Sequence, residues 1–140
     1  MNARLAIVGT AVLSAVLALP AAASAQSESL GTVRIPTSVS ANGQPLAAGT
    51  YTLRLSSDPV TPVIGQGPQA ARWVEFVQDG QVKGKELASV VDPADVKAVA
   101  KRNPPAAGRP MVQALRGADY MRVWVNRAGT QYLIHLTTTK

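Results

Sequence analysis

Short runs of alternating apolar and polar residues, separated by turn-forming residues, follow one another from Gly31 to the end of the chain. The clearest run is Thr50 to Leu55, in which Tyr51 and Leu53 alternate with polar side chains. A two-residue period places one set of side chains on the buried face of a strand. The whole pattern predicts an all-β domain, a single antiparallel β-sandwich or barrel of about seven strands.

Turn residues mark the ends of these strands. Asp79-Gly80 is a strong two-residue hairpin signal, and Asn42-Gly43 is another. The remaining predicted strands are Val33–Ile35, Val39–Ala41, Trp73–Val77, Val82–Val91 and Met111–Leu115. The segment from Asp58 to Ala71 contains three prolines and two glycines, and it is predicted to be a long surface loop.

One short helix is predicted between Asp92 and Arg102. Asp92 is a suitable N-cap, and Pro93 occupies the first helical position. Val96 supplies part of a modest apolar face, and basic residues at the far end suit a helix C-terminus.

The C-terminal hairpin allows its register to be predicted. Each strand of the hairpin carries a set of alternating apolar residues. A loop of even length, either Ala128-Gly129 or Asn126 to Gly129, brings the two sets to the same face of the hairpin, whereas a three-residue loop places them on opposite faces. We therefore expect a shared core face formed by Met121, Val123, Val125, Tyr132, Ile134 and Leu136. The opposite face then carries Tyr120, Arg122, Trp124, Leu133 and His135.

Residues 1–25 have the layout of a signal peptide. Arg4 precedes an uncharged apolar run, and Ala23-Ser24-Ala25 fits the small-residue pattern that signal peptidase cleaves. No arginine pair precedes the run, so we expect export by the general secretory route to the periplasm or the exterior. Residues 26–140 are then a single secreted β domain, and no later stretch is suited to crossing a membrane.

The positive charge is concentrated in one segment. Without Arg4 the chain keeps 13 basic residues, of the 14 in the full sequence, against 8 acidic ones. A basic patch without any acid is formed by Lys97, Lys101, Arg102, Arg109 and Arg116. It is either a solvated helix end and loop or a surface that faces an anionic envelope component. Nucleic acid is not expected, since no aromatic residues interleave with the patch.

The chain has few residues for reactive chemistry. It contains no cysteine and a single histidine, His135, so no zinc or copper site is predicted. Calcium stays an alternative through Asp58, Asp79, Asp92 or Asp95, but no D-x-D-x-D-G spacing supports it, so no metal site and no cofactor is predicted. His135 can be a base only with a nearby acid, such as Asp119, and no nucleophile motif accompanies it. A small hydrolase or isomerase is therefore kept only as an alternative.

A dozen residues resemble a known family. The phrase Asn42-Gly43-Gln44-Pro45-Leu46, followed by Ala48 to Arg54, is similar to the turn and strand of transthyretin-like and carboxypeptidase-regulatory-like bacterial modules. That resemblance implies a sandwich whose strand tyrosine packs into the core, and a function that is mostly non-catalytic.

A row of large side chains is the leading candidate for binding. Tyr120, Arg122 and Trp124 alternate along one strand, with His135 beside them, and aromatic rows of this kind stack on sugar rings. The alternative is that the helix or another strand covers the row and Trp124 is ordinary core or edge packing. We expect a non-catalytic module for a glycan, an envelope component or a protein partner. A structural subunit that uses exposed strand edges is a further alternative.

Overall fold

The computed structural model describes residues 28–61, 63–67, 69–100, 103–115 and 117–139. The predicted signal peptide and three members of the basic patch, Lys101, Arg102 and Arg116, lie outside these ranges. The described residues form nine strands and one short helix. In chain order these are β1 Ser29–Ile35, β2 Val39–Ala41, β3 Gln44–Leu46, β4 Gly49–Leu55, β5 Ala71–Gln78, β6 Gln81–Val91, α1 Val96–Ala100, β7 Met111–Ala114, β8 Tyr120–Arg127 and β9 Thr130–Thr138.

The strands form one antiparallel sheet that is nearly closed into a barrel. Seven strands surround the core in the order β1-β4-β5-β6-β9-β8-β7, and the β2–β3 hairpin is attached through the pairing of β2 with β9. Strand β7 then meets β1 across a seam where the two strands contact each other. The prediction of an all-β domain with one short helix is confirmed, and the architecture is barrel-like.

At the seam between β1 and β7, Gly31 packs closely against the segment that leads into β7. An added Cβ at Gly31 would lie 2.6 Å from the carbonyl oxygen of Gly108 and 2.8 Å from Pro110 Cδ. The φ angle of Gly31 is +115°, in a region that other residues rarely adopt. Glycine is therefore required here for both space and backbone conformation.

Three tight turns connect neighbouring strands as the sequence predicts. Asn42-Gly43, Asp79-Gly80 and Ala128-Gly129 each have positive φ angles at both residues, as two-residue hairpin loops of type I′ require. Ala128 is an unusual residue in this conformation. The turn that contains it is supported by a hydrogen bond from the Gly129 amide to Asn126 Oδ1, at 3.1 Å.

The predicted register of the C-terminal hairpin is confirmed. Val123 lies opposite Ile134, and Val125 lies opposite Tyr132. All six residues of the predicted face are buried in the barrel core. Tyr51, the strand tyrosine of the resemblance, is also buried and meets Phe76 edge to face, with ring centroids 6.1 Å apart.

Two short elements differ from the prediction. The helix spans Val96–Ala100 and begins later than predicted, because residues 93–95 form a turn in which Asp92 Oδ1 accepts a hydrogen bond from the Ala94 amide. The predicted end at Arg102 lies outside the described residues. Strand β3 was not predicted, since it is short and contains Pro45; it pairs only with β2, at the edge of the sheet.

Within the described ranges, no helix is long and apolar enough to cross a membrane.

Candidate functional site

Trp124 does not offer its ring to a ligand. Its side chain is 0% exposed and lies in a small apolar cluster with Leu133 and with Val96 of the helix. The indole Nε1 donates a hydrogen bond to Gln131 Oε1 at 2.7 Å. The predicted aromatic row is therefore interrupted at Trp124. The structure agrees with the alternative, in which the helix covers this residue.

The other three members of the row remain at the surface and form a compact group. Arg122 lies directly opposite His135, and Tyr120 lies opposite Thr137, all on the outward face of β8 and β9. Tyr120 is 51% exposed, His135 and Thr137 are exposed, and Arg122 is half-buried. We call Tyr120, Arg122, His135 and Thr137 the outer patch.

Arg122 and His135 are joined by a hydrogen bond. Arg122 Nε donates to His135 Nε2, and the two nitrogens are 3.2 Å apart. Because Nε2 accepts, the imidazole is neutral and carries its hydrogen on Nδ1. Burial and the nearby Arg122 guanidinium hold the pKa of His135 below its ordinary value, while Glu86 acts in the opposite direction.

Arg122 lacks a carboxylate partner in the part of the chain that the structure describes. Ion pairs there join Arg54 to Glu75, Lys85 to Asp58 and Arg127 to Glu28, and none of them includes Arg122. An arginine without a paired acid keeps its donors available for an anion.

Gln113 of β7 lies on the other side of Arg122. The register places Gln113 directly opposite Arg122, so both side chains are on the outward face. The Gln113 Oε1 atom is buried and has no hydrogen-bond donor among the described residues. Gln113 therefore adds an unsatisfied polar group to the border of the outer patch.

Glu86 is an acid whose charge raises the pKa of His135. Glu86 already accepts hydrogen bonds from the backbone amides of Asn42 and Leu87. Asp119, the acid named from the sequence, accepts a hydrogen bond from the Thr138 amide through its carbonyl and takes part in a further interaction. The hydrogen bond that the structure shows for the His135 side chain is with Arg122, and the pairing of His135 with an acid stays a prediction.

The basic patch is described only in part. Lys97 is exposed on the helix, and Arg109 is exposed in the segment that leads into β7. These two residues belong to different elements, so closeness in sequence does not by itself make them one surface. The role of the patch in binding an anion remains a prediction.

The long loop is the second candidate surface. It is attached by the ion pair of Asp58 with Lys85 and by a hydrogen bond from Trp73 Nε1 to the Pro59 carbonyl. Its tip exposes Val63 and Ile64. The cleft between the loop and the barrel has a volume of about 30 Å³, room for about two water molecules. It is too small for a sugar or an acyl chain.

In the described part of the chain, no group of three or more histidine, aspartate or glutamate side chains is placed to hold a metal ion.

Comparisons with known proteins find no protein-family model, no curated protein and no solved structure that matches the chain.

Two residues beside the candidate site were not singled out from the sequence. Strand pairing places Thr137 opposite Tyr120 and Gln113 opposite Arg122. The hairpin register, which the sequence does predict, already places Thr137 opposite Tyr120. The position of Gln113 opposite Arg122 is not predictable in this way. Five residues, 115–119, separate β7 from β8, and their sequence contains no hairpin motif that would fix the register of the two strands.

Proposed function

We propose that this protein is an exported, non-catalytic binding module whose outer patch binds the acidic sugar units of a glycan. The observation that carries the proposal is Arg122, an outward-facing arginine that is not paired with any acid of the described residues and lies beside an exposed tyrosine. The predicted signal peptide supports a ligand outside the cytoplasm.

The chemistry of the patch suits a uronic acid. The planar guanidinium of Arg122 offers parallel N–H donors that match the two oxygens of a carboxylate. Tyr120 lies two residues along the same strand, roughly 7 Å away, and its exposed ring can pack against the apolar face of a sugar. The Thr137 hydroxyl and the imidazole of His135 are placed beside them for the sugar hydroxyls.

The size of the patch favours a sugar over a protein. The outer patch consists of four side chains, and the helix cluster around Trp124 and Leu133 covers the next positions on the same two strands. A stable protein interface needs roughly 20 residues on each side. A small polar patch of this kind fits one or two sugar units.

Replacing Arg122 by glutamine is expected to weaken the binding of an oligogalacturonate by at least about tenfold, since a charge-assisted hydrogen bond contributes roughly 1.5–3 kcal/mol. Isothermal titration calorimetry with the oligomer, and with a neutral oligosaccharide of equal length, measures this effect. Arg109→Gln is the matched control, because it removes an exposed arginine from the basic patch and leaves the outer patch intact.

The proposal is wrong if Arg122→Gln binds the oligomer as tightly as the wild type, or if Arg109→Gln accounts for the loss. Release of new reducing ends from the oligomer would contradict the non-catalytic part of the proposal and would favour the hydrolase alternative.

A further inference from the structure

We propose that ligand binding at Arg122 is coupled to protonation of His135, so that the outer patch holds an anion more tightly as the pH falls. This inference rests on the proposed function and adds a form of regulation to the same site. It is carried by the hydrogen bond between the two side chains.

In the free protein, burial and the Arg122 side chain both disfavour the protonation of His135. The imidazole Nε2 accepts a hydrogen bond from Arg122 Nε, and it can do so only without a proton of its own. Protonation removes this bond and places two positive groups side by side, with the nitrogens that now form the bond 3.2 Å apart. The free outer patch therefore resists protonation.

A bound carboxylate reverses this preference. Its oxygens accept hydrogen bonds from the Arg122 guanidinium, and its negative charge offsets the positive charge that disfavours the imidazolium. Once protonated, His135 Nε2 becomes a second charged donor next to those of Arg122. The anion and the proton thus stabilise each other at the same pair of residues.

The neighbouring strands add few other charges near His135. On β8 the charged neighbour is Arg122. Asp119 directly precedes β8, and its carbonyl accepts a hydrogen bond from the Thr138 amide of β9. On β6 the neighbouring charges are Glu86, held by the amides of Asn42 and Leu87, and Lys85, paired with Asp58. Strand β2, which pairs with the end of β9, has no ionisable side chain.

Linkage sets the size and the direction of the effect. If the bound anion raises the pKa of His135 by about one, the affinity of the outer patch for the anion is about tenfold higher when His135 is fully protonated. The affinity rises as the pH falls through the pKa of the bound form. The affinity stops increasing once the pH is below the pKa of His135 in the ligand-free protein, and that pKa lies below the ordinary value for histidine.

The single histidine of the chain makes the test direct. The imidazole resonances of His135 are followed by NMR between about pH 5 and pH 8, for the exported protein alone and with saturating oligogalacturonate. We expect the ligand to raise the pKa of His135 by about one. Calorimetry at the two ends of this range should show an affinity about tenfold higher at the acid end.

Two variants separate coupling from general electrostatics. In Arg122→Gln the pKa of free His135 should rise, because the guanidinium that lowers it is gone. His135→Gln should bind the oligomer with an affinity that no longer changes over this pH range. Lys97→Gln, which removes an exposed cation on the helix, should leave the pKa of His135 unchanged.

The outcomes distinguish the two proposals. If the oligomer binds and the pKa of His135 does not move, the coupling is wrong and the proposed function stands. If the oligomer does not bind at any pH in the range, both proposals are overturned.

Discussion

Replacing Trp124 by alanine is expected to lower the free energy of unfolding by about 3–5 kcal/mol, the usual range for removing a large buried aromatic side chain. Trp124 is completely buried, and it joins the helix to the barrel through Val96 and Leu133. Its removal also leaves the buried Gln131 without the indole N–H that it accepts from. Urea unfolding of the variant and the wild type measures the loss.

Two further variants identify the cause of that loss. Trp124→Phe keeps a large apolar ring and removes the N–H donor, so its destabilisation should be clearly smaller than that of the alanine variant. Tyr120→Ala removes an exposed ring from the same strand and should change the stability by less than about 0.5 kcal/mol. A Trp124→Ala variant as stable as Tyr120→Ala would show that the helix does not pack on Trp124.

Trp124→Ala is consequently a poor probe of ligand binding, since any loss of affinity would be inseparable from the loss of stability. Arg122→Gln is the better probe. Arg122 lies at the surface, and it makes no ion pair with the described residues that the substitution would break.

Replacing Gly31 by alanine is the second substitution with a large expected effect, a destabilisation of about 2–4 kcal/mol. The added methyl group would overlap the Gly108 carbonyl and the Pro110 ring. The φ angle of Gly31 is also unfavourable for alanine. Since Gly31 lies at the seam of β1 and β7, we expect the barrel to open there, and hydrogen exchange at the amides of β1 should accelerate.

Gly43→Ala is the matched control for this prediction. Gly43 also has a positive φ angle, but a Cβ there would meet nothing within 4 Å. Backbone strain alone should cost about 1 kcal/mol. Equal destabilisation by Gly31→Ala and Gly43→Ala would mean that the contact with Gly108 does not contribute to closure of the barrel.

The sequence predicts the fold well wherever a strong local signal combines with burial. The pairing of β8 with β9 is an example: two apolar sets must share one face, and only an even-length loop allows this. The Ala128-Gly129 turn and the pairing of Val125 with Tyr132 agree with that argument. Alternation does not distinguish a sandwich from a barrel, because closure depends on contacts between β1 and β7, which are distant in sequence.

The candidate site is predicted less completely, and Trp124 shows why. A two-residue period tells which face of a strand a side chain occupies, but not whether another element covers that face. Trp124 is covered by Val96, which lies 28 residues earlier in the chain. The cluster that contains Val96 does not include Arg122 or Tyr120. The sequence therefore places the four candidate residues on one face without showing which of them remain accessible.

The most direct test of the central claim, that the outer patch holds an acidic sugar, is an amide chemical-shift map of the protein titrated with oligogalacturonate. We predict that the largest shifts fall on residues 120–122 of β8 and 135–137 of β9, with smaller changes at Gln113. Shifts centred on the loop tip at Val63 and Ile64, or on Lys97 and Arg109 with the outer patch unaffected, would contradict the claim.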